Sequence, residues 1–289
     1  MESARCRAFV AAAETGSFSE AAKKLNYTPS GVSQLVTALE QDLGFSLLIR
    51  SRKGVKLTSD GVRMMPPVRE FLMQEDRIYQ TAGEIKGVLA GTINVASYSS
   101  VAAHWLAAVI KKFQEDHPQV RINLIEGIHQ EVWASLQENR AEIAFISYKD
   151  GMNCHWIPLQ EDRMIAMLPV DHPCAGLEAY PLQRCGQEDF IMPALGEDSD
   201  VMELLHRFEI TPDIKFSTVE NFSTMSMIEQ GLGMSIMNEL ITESWQCNVT
   251  MLPLDPPQSI TLGIAVPSLE NASPAAREFI RYAEKMLKR

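Results

Sequence analysis

The sequence predicts an α/β protein made of a small helical head, a long connecting helix and a larger α/β body, and three observations carry that reading. Capped helical segments and a short basic hairpin fill the first 58 residues. A helical pattern then runs from Thr58 to about Leu89. After Gly91, β-rich runs alternate with helical stretches, the sign of a mostly parallel sheet. At 289 residues the chain is too long for one ordinary core.

The head begins with ARCRAFVAAAET, residues 4–15, which reads as a helix broken by Gly16. Ser17-Phe18-Ser19-Glu20 has the capping-box form and opens a second helix to about Leu25. After Asn26-Tyr27, a third helix starts at Thr28, a natural N-cap, with Pro29 in the first helical position and Gly44 as a left-handed end. Val32, Val36, Leu39 and Leu43 recur on its inner side, while Ser30, Ser33, Gln34, Thr37 and Gln41 form the other. Short uncharged polar groups are unusual for a merely solvated face, where Lys and Glu dominate. Two short helices joined by a tight turn are the helix-turn-helix layout. An expected strand Phe45–Ile49 and a second, Val55–Leu57, flank the tip Arg50-Ser51-Arg52-Lys53-Gly54 and form a wing.

The long helix carries Val62, Met65, Phe71, Leu72, Ile78, Ile85 and Val88 on an apolar stripe, with Pro66 and Pro67 expected to kink it. Roughly 30 residues of helix span ~45 Å, too long to pack on so small a head, so a second copy of the same helix is the expected partner. In the body, TINVASY, VRINLIEG and AEIAFISYK read as strands, separated by helices near 100–116 and 129–139. RMIAMLPV, DFIMP, IKFSTV, GMSIMN and ITLGIAVP continue the alternation.

With 46% apolar and 22% charged residues, the chain has the composition of a soluble globular protein. No apolar run approaches the ~20 residues of a membrane span, and MESARCRAFVAAAETGSF makes a poor signal peptide. The expected location is the cytoplasm. The net charge of -11 divides unevenly. Residues 1–66 hold nine Lys/Arg and six Asp/Glu, which leaves 17 basic against 31 acidic for the rest. A mildly basic head on an acidic body suggests one phosphate-facing end. The five cysteines fit reduced packing thiols. Cys174 and Cys185 are placed for a redox pair, but nothing in their spacing demands one, and the Cys154-His155 and His172/Cys174 groupings lack the doubled short spacing of a structural zinc module. No metal and no cofactor is expected.

The stretch AFVAAAETGSFSEAAKKLNYTPSGVSQLVTALEQDLGFSLLIRSRKGVKLTSDG resembles the winged helix-turn-helix of LysR-type transcriptional regulators. EGIHQEVWASLQENRAEIAFI and STVENFSTMSMIEQGLGMSIM resemble that family's effector-domain segments. Pro29 stands where the family often has Gln, Gln34 where Arg is common, and Asn238 where Pro is usual. The resemblance implies an N-terminal winged helix-turn-helix at residues 1–58, a linker and dimerisation helix at 59–89, and a C-terminal effector domain at 91–289 resembling a periplasmic binding protein. Its two α/β subdomains would comprise residues 91–162 with 267–289, and residues 163–266. The implied partners are promoter DNA, a small-molecule effector, RNA polymerase and further copies of the chain as a dimer or tetramer.

Small polar residues let a helix in the major groove approach base edges, Gln can pair bidentately with adenine, and Ser suits several bases. Ser30, Ser33 and Gln34 are therefore the expected base readers, with Thr37 on the DNA backbone. Arg50, Arg52 and Lys53 are expected at phosphates or the minor groove, Arg50 being the one to pair within the domain. In the body, Tyr98-Ser99-Ser100 follows a strand and opens a helix, where free N–H groups favour a carboxylate or other anion at Ser99 and Ser100. By resemblance the cleft adds His129, Ser147 or Tyr148, Ser199, and Asn221 or Phe222. With no obvious Arg or Lys at these positions, a small aromatic compound or a monocarboxylate is the expected effector.

Two rival readings make weaker use of the sequence. A solute carrier would need a signal peptide and no basic head. An enzyme would have to use a set such as Ser99, His129 and Asp150, and the chain has no G-x-S-x-G elbow, phosphate-binding G-x-x-x-x-G-K-S/T loop or H-E-x-x-H motif.

Overall fold

The computed structural model describes residues 2–196, 200–243 and 246–288. The head contains α1 (Ser3–Thr15), α2 (Phe18–Leu25), α3 (Pro29–Leu43) and the hairpin β1 (Leu48–Ser51) and β2 (Gly54–Leu57). Phe9, Val32, Val36, Leu39 and Leu47 are fully buried in its core. Thr28 caps α3 by accepting from the Gly31 N–H at 3.1 Å, and Gly44 ends it at φ 82°. Only half of the expected capping box forms at α2. Ser17 accepts from the Glu20 N–H, but the Glu20 carboxylate turns outward to Lys23 at 2.7 Å.

The first wing strand starts at Leu48, not Phe45. The cause lies in α3: Glu40 Oε1 accepts from the Leu47 and Leu48 N–H groups at 2.8 and 3.0 Å, which holds that entry to the strand as a loop.

The long helix α4 (Ser59–Ile85) passes through both prolines and ends before Val88 and Leu89. Its first turn lies directly on the head, since a Cβ at Gly61 would stand 2.1 Å from the Leu47 carbonyl oxygen. The predicted stripe divides. Met65 is buried and Phe71 and Leu72 pack on the head, whereas Val62, Ile78 and Ile85 are exposed, as are Tyr79 and Val88. At the far end the buried Gln80 donates to the Thr92 carbonyl at 3.4 Å and accepts from the Ala275 N–H at 3.2 Å, joining α4 to the body.

The body begins with β3 (Gly91–Ser97), α5 (Ser99–Val101), a π-helical turn over Ala102–Leu106 and α6 (Ala107–Asp116). β4 (Val120–Glu126), α7 (His129–Gln137), β5 (Ile143–Ser147) and the long β6 (His155–Pro169) follow. The second subdomain holds β7 (Tyr180–Pro181), a 3-10 turn over Leu182–Gln187, β8 (Asp189–Met192), α8 (Asp200–Arg207), β9 (Asp213–Ser217), α9 (Asn221–Glu229), β10 (Ser235–Asn238) and α10 (Glu239–Thr242). The chain returns along β11 (Val249–Val266) and ends in α11 (Pro274–Leu287).

The largest sheet has the order β10-β6-β11-β5-β3-β4, with β7 added beside β11. It is less parallel than expected. β3 runs parallel to β4 and β5, and β8 to β9, but β6, β10 and β5 all pair antiparallel with their crossover neighbours. The chain crosses to the second subdomain on β6 and returns on β11, so these two long strands must oppose each other. One core gathers Ile93, Phe113, Phe145 and Phe279, and includes Leu262, Ile264 and Val266 from before the expected boundary at 267. A second gathers Tyr180, Phe190, Leu204 and Ile236 with Cys174 and Cys185. All five cysteines are free, and burial pushes the Cys185 thiol up to about 12.

Candidate functional site

In the head, Ser30 and Gln34 are exposed on α3, with Arg52 and Lys53 exposed at the turn of the wing. Ser33 and Thr37 are half-buried because Arg50 reaches over them. Its guanidinium donates to Ser33 Oγ at 2.9 Å, Thr37 Oγ1 at 2.8 Å and Glu40 Oε2 at 3.0 Å, and it lies 5.2 Å from the centre of the Phe18 ring. Arg50 is thereby tied to the head's own side chains. Its partners Glu40 and Phe18 did not stand out in the sequence, because the link joins residues 10 and 32 positions away in the chain.

In the body, a cleft of about 730 Å³ opens between the two subdomains. Ser99, Ser100 and His129 line one wall, and Asn221 and Phe222 belong to the other. Ser147 lies beneath the cleft, 1% exposed, instead of in its lining. It donates to Asp200 Oδ1 at 2.9 Å, while Tyr98 Oη lies 2.8 Å from both Ser147 Oγ and His129 Nδ1. With the Ser147 proton used on Asp200, the arrangement that uses each proton once runs His129 Nδ1–H to Tyr98 and Tyr98 O–H to Ser147. This chain joins three strand or helix ends of the first subdomain to α8 of the second.

Tyr148 is not at the cleft. It projects the opposite way from Ser147, as neighbours along an extended strand do, and packs on Trp156 with ring centres 5.4 Å apart. Ser199 falls outside the described residues.

The chemistry of the lining was not legible beforehand. Glu126, Glu131, Asp162, Asp200 and Glu220 border the cleft, with no Lys or Arg among its described lining residues. Val219, Phe222, Ile241 and Ile260 provide an apolar wall. Asp162 is 7% exposed, and its Oδ1 accepts from the Leu240 N–H at 3.0 Å. Burial, against that hydrogen bond and aided by Glu239, Glu243 and Asp200, pushes its carboxyl up to about 7. Such a wall is ill suited to the expected monocarboxylate, which would meet negative charge. One missed residue did carry a signal: Asn238 ends a strand just before a helix, the same placement that nominated Ser99.

Comparison with known proteins adds lineage to this geometry. The family described as "Bacterial regulatory helix-turn-helix protein, lysR family" matches residues 4–62, and "LysR substrate binding domain" matches residues 86–288. The uncharacterised HTH-type transcriptional regulator YvbU of Bacillus subtilis is 31% identical over 283 residues, 97% of each chain. Among solved structures, HinK, a LysR family transcriptional regulator from Pseudomonas aeruginosa, aligns at a TM-score of 0.60 with 28% identity over 99% of both chains. A full-length OxyR variant from the same organism shares the fold at a TM-score of 0.76, with 20% identity, over 100% of this chain and 98% of its own.

Proposed function

The chain belongs to the LysR family of transcriptional regulators, and on that premise we propose that Ser30 and Gln34 read operator bases while a small molecule in the cleft between the subdomains governs the binding. The carrying observation is that an exposed, uncharged polar helix end and the exposed cations Arg52 and Lys53 belong to one small head. Base readout needs the first, and phosphate neutralisation needs the second. Ser33 and Thr37 act from under Arg50, as close-approach surface and backbone contact. The exposed Ile78, Tyr79 and Ile85 of α4 supply the seam of a homodimer, and pairs of dimers make a tetramer on an inverted repeat. Effector binding favours one arrangement of the subdomains over another, changing the spacing of the heads, the bend of the DNA and the access of RNA polymerase. The protein works in the cytoplasm as a regulator and turns nothing over. No described helix is long and apolar enough to cross a membrane.

Fluorescence anisotropy against the gene's own upstream intergenic DNA and a scrambled duplex, across a salt series, tests the reading. Tight binding to the first alone, falling steeply as salt rises, is expected. No binding to any DNA at low salt overturns it.

A further inference from the structure

Taking the cleft as the effector site, its lining specifies the charge of what it holds. Of the five bordering carboxylates, Glu131 is used locally, accepting from the Ile128 N–H at 3.1 Å, and Asp200 accepts the Ser147 proton. Glu126, Asp162 and Glu220 make no ion pair among the described residues. An acid 7% exposed beside other acids, with one backbone N–H and no cation among the described residues, is a costly arrangement for the empty protein. A positive charge placed against it removes that cost, whereas an anion raises it. In the same lining the Asn238 Nδ2 is buried with no acceptor among the described residues, leaving an unused donor. Phe222, Ile241 and Ile260 offer a surface for an apolar body, and about 730 Å³ suits a small organic molecule.

We propose that the cleft binds a small organic cation, a protonated amine or amidine on an apolar body, with its nitrogen at Asp162 and its body on Phe222, Ile241 and Ile260. Glu126 and Glu220 deepen the negative field that draws it in, and an acceptor on the ligand meets Asn238.

The test uses the full chain, with calorimetry and thermal shift against phenethylamine, tyramine, agmatine and choline. 2-Phenylethanol and phenylacetate serve as neutral and anionic counterparts of phenethylamine. At least one cation is expected to bind saturably, its counterparts to bind more weakly or not at all, and Asp162→Asn to weaken binding about tenfold or more, as loss of one charged contact does. Glu220→Gln, on the protein's exposed rim, is expected to weaken it less and serves as a second variant. Binding of phenylacetate at least as tight as phenethylamine, failure of all four cations, or an unchanged affinity in both variants overturns the proposal. Cations that bind through Asp162 yet leave operator anisotropy unchanged refute the effector role and keep the charge assignment. Phenylacetate that binds and shifts anisotropy does the reverse.

Discussion

Arg50 and Glu40 meet at 3.0 Å at the base of the wing, and the same carboxylate holds the Leu47 and Leu48 N–H groups with its other oxygen. Helix α3 and the wing are thus fixed to each other through one acid and one base, with Ser33 and Thr37 gathered under the guanidinium. Glu40→Ala removes the acceptor of two backbone donors as well as the ion pair. A loss of about 1–3 kcal/mol in head stability is expected in chemical denaturation. Arg50→Lys keeps the charge but not the fork, and is expected to weaken specific DNA binding more than nonspecific binding.

Gln34 and Arg52 should fail in different ways. Gln34→Ala is expected to lose about 1–3 kcal/mol on operator DNA and relax preference at one base pair, while Arg52→Ala weakens all duplexes alike and lowers the salt slope by about one. Anisotropy on operator variants across a salt series separates the two. Equal loss on every sequence for Gln34→Ala would remove it from the base readers.

Ile78 is 68% exposed and Ile85, two turns on, 82%. Ile78→Glu with Ile85→Glu is expected to convert the oligomer to monomer in analytical ultracentrifugation and weaken operator binding, with the circular dichroism of the monomer kept. An unchanged sedimentation coefficient would place the seam elsewhere.

Asp162 makes stability depend on pH. Its carboxyl ionises near 3.8 when the chain is unfolded and at about 7 when folded, so the folded state holds the proton over the interval between. Stability contributed at low pH is lost as pH rises through that interval. Asp162→Asn is expected to flatten the loss and to raise stability at pH 8 by an amount of order 2–4 kcal/mol, read in chemical denaturation across a pH series. A wild-type stability that climbs from pH 5 to pH 7, unchanged in the variant, would show that burial does not hold this proton.

What was legible in the sequence was local. Thr28, Pro29 and Gly44 mark both ends of α3, because caps and left-handed residues act within a few positions of themselves. Ser99 and Ser100 reach the cleft by the rule that strand ends face it, and His129 by the family resemblance. The long-range partners were hidden. Glu40 resets the start of β1 from the preceding helix, and Asp162 joins the cleft only because β6 pairs with the distant β11, Asp162 opposite Ile260. The acidity of the cleft follows from that pairing, and no short window of sequence contains it.

The buried Gln80 sets a mechanical condition on the whole chain. By clasping the first strand and the last helix of the body at once, it removes slack between the cleft-bearing subdomain and the linker helix. At the opposite end, the contact of Gly61 with Leu47 leaves no gap between linker and head. The helix between them is keyed at both ends, which leaves little play between the first subdomain and the head.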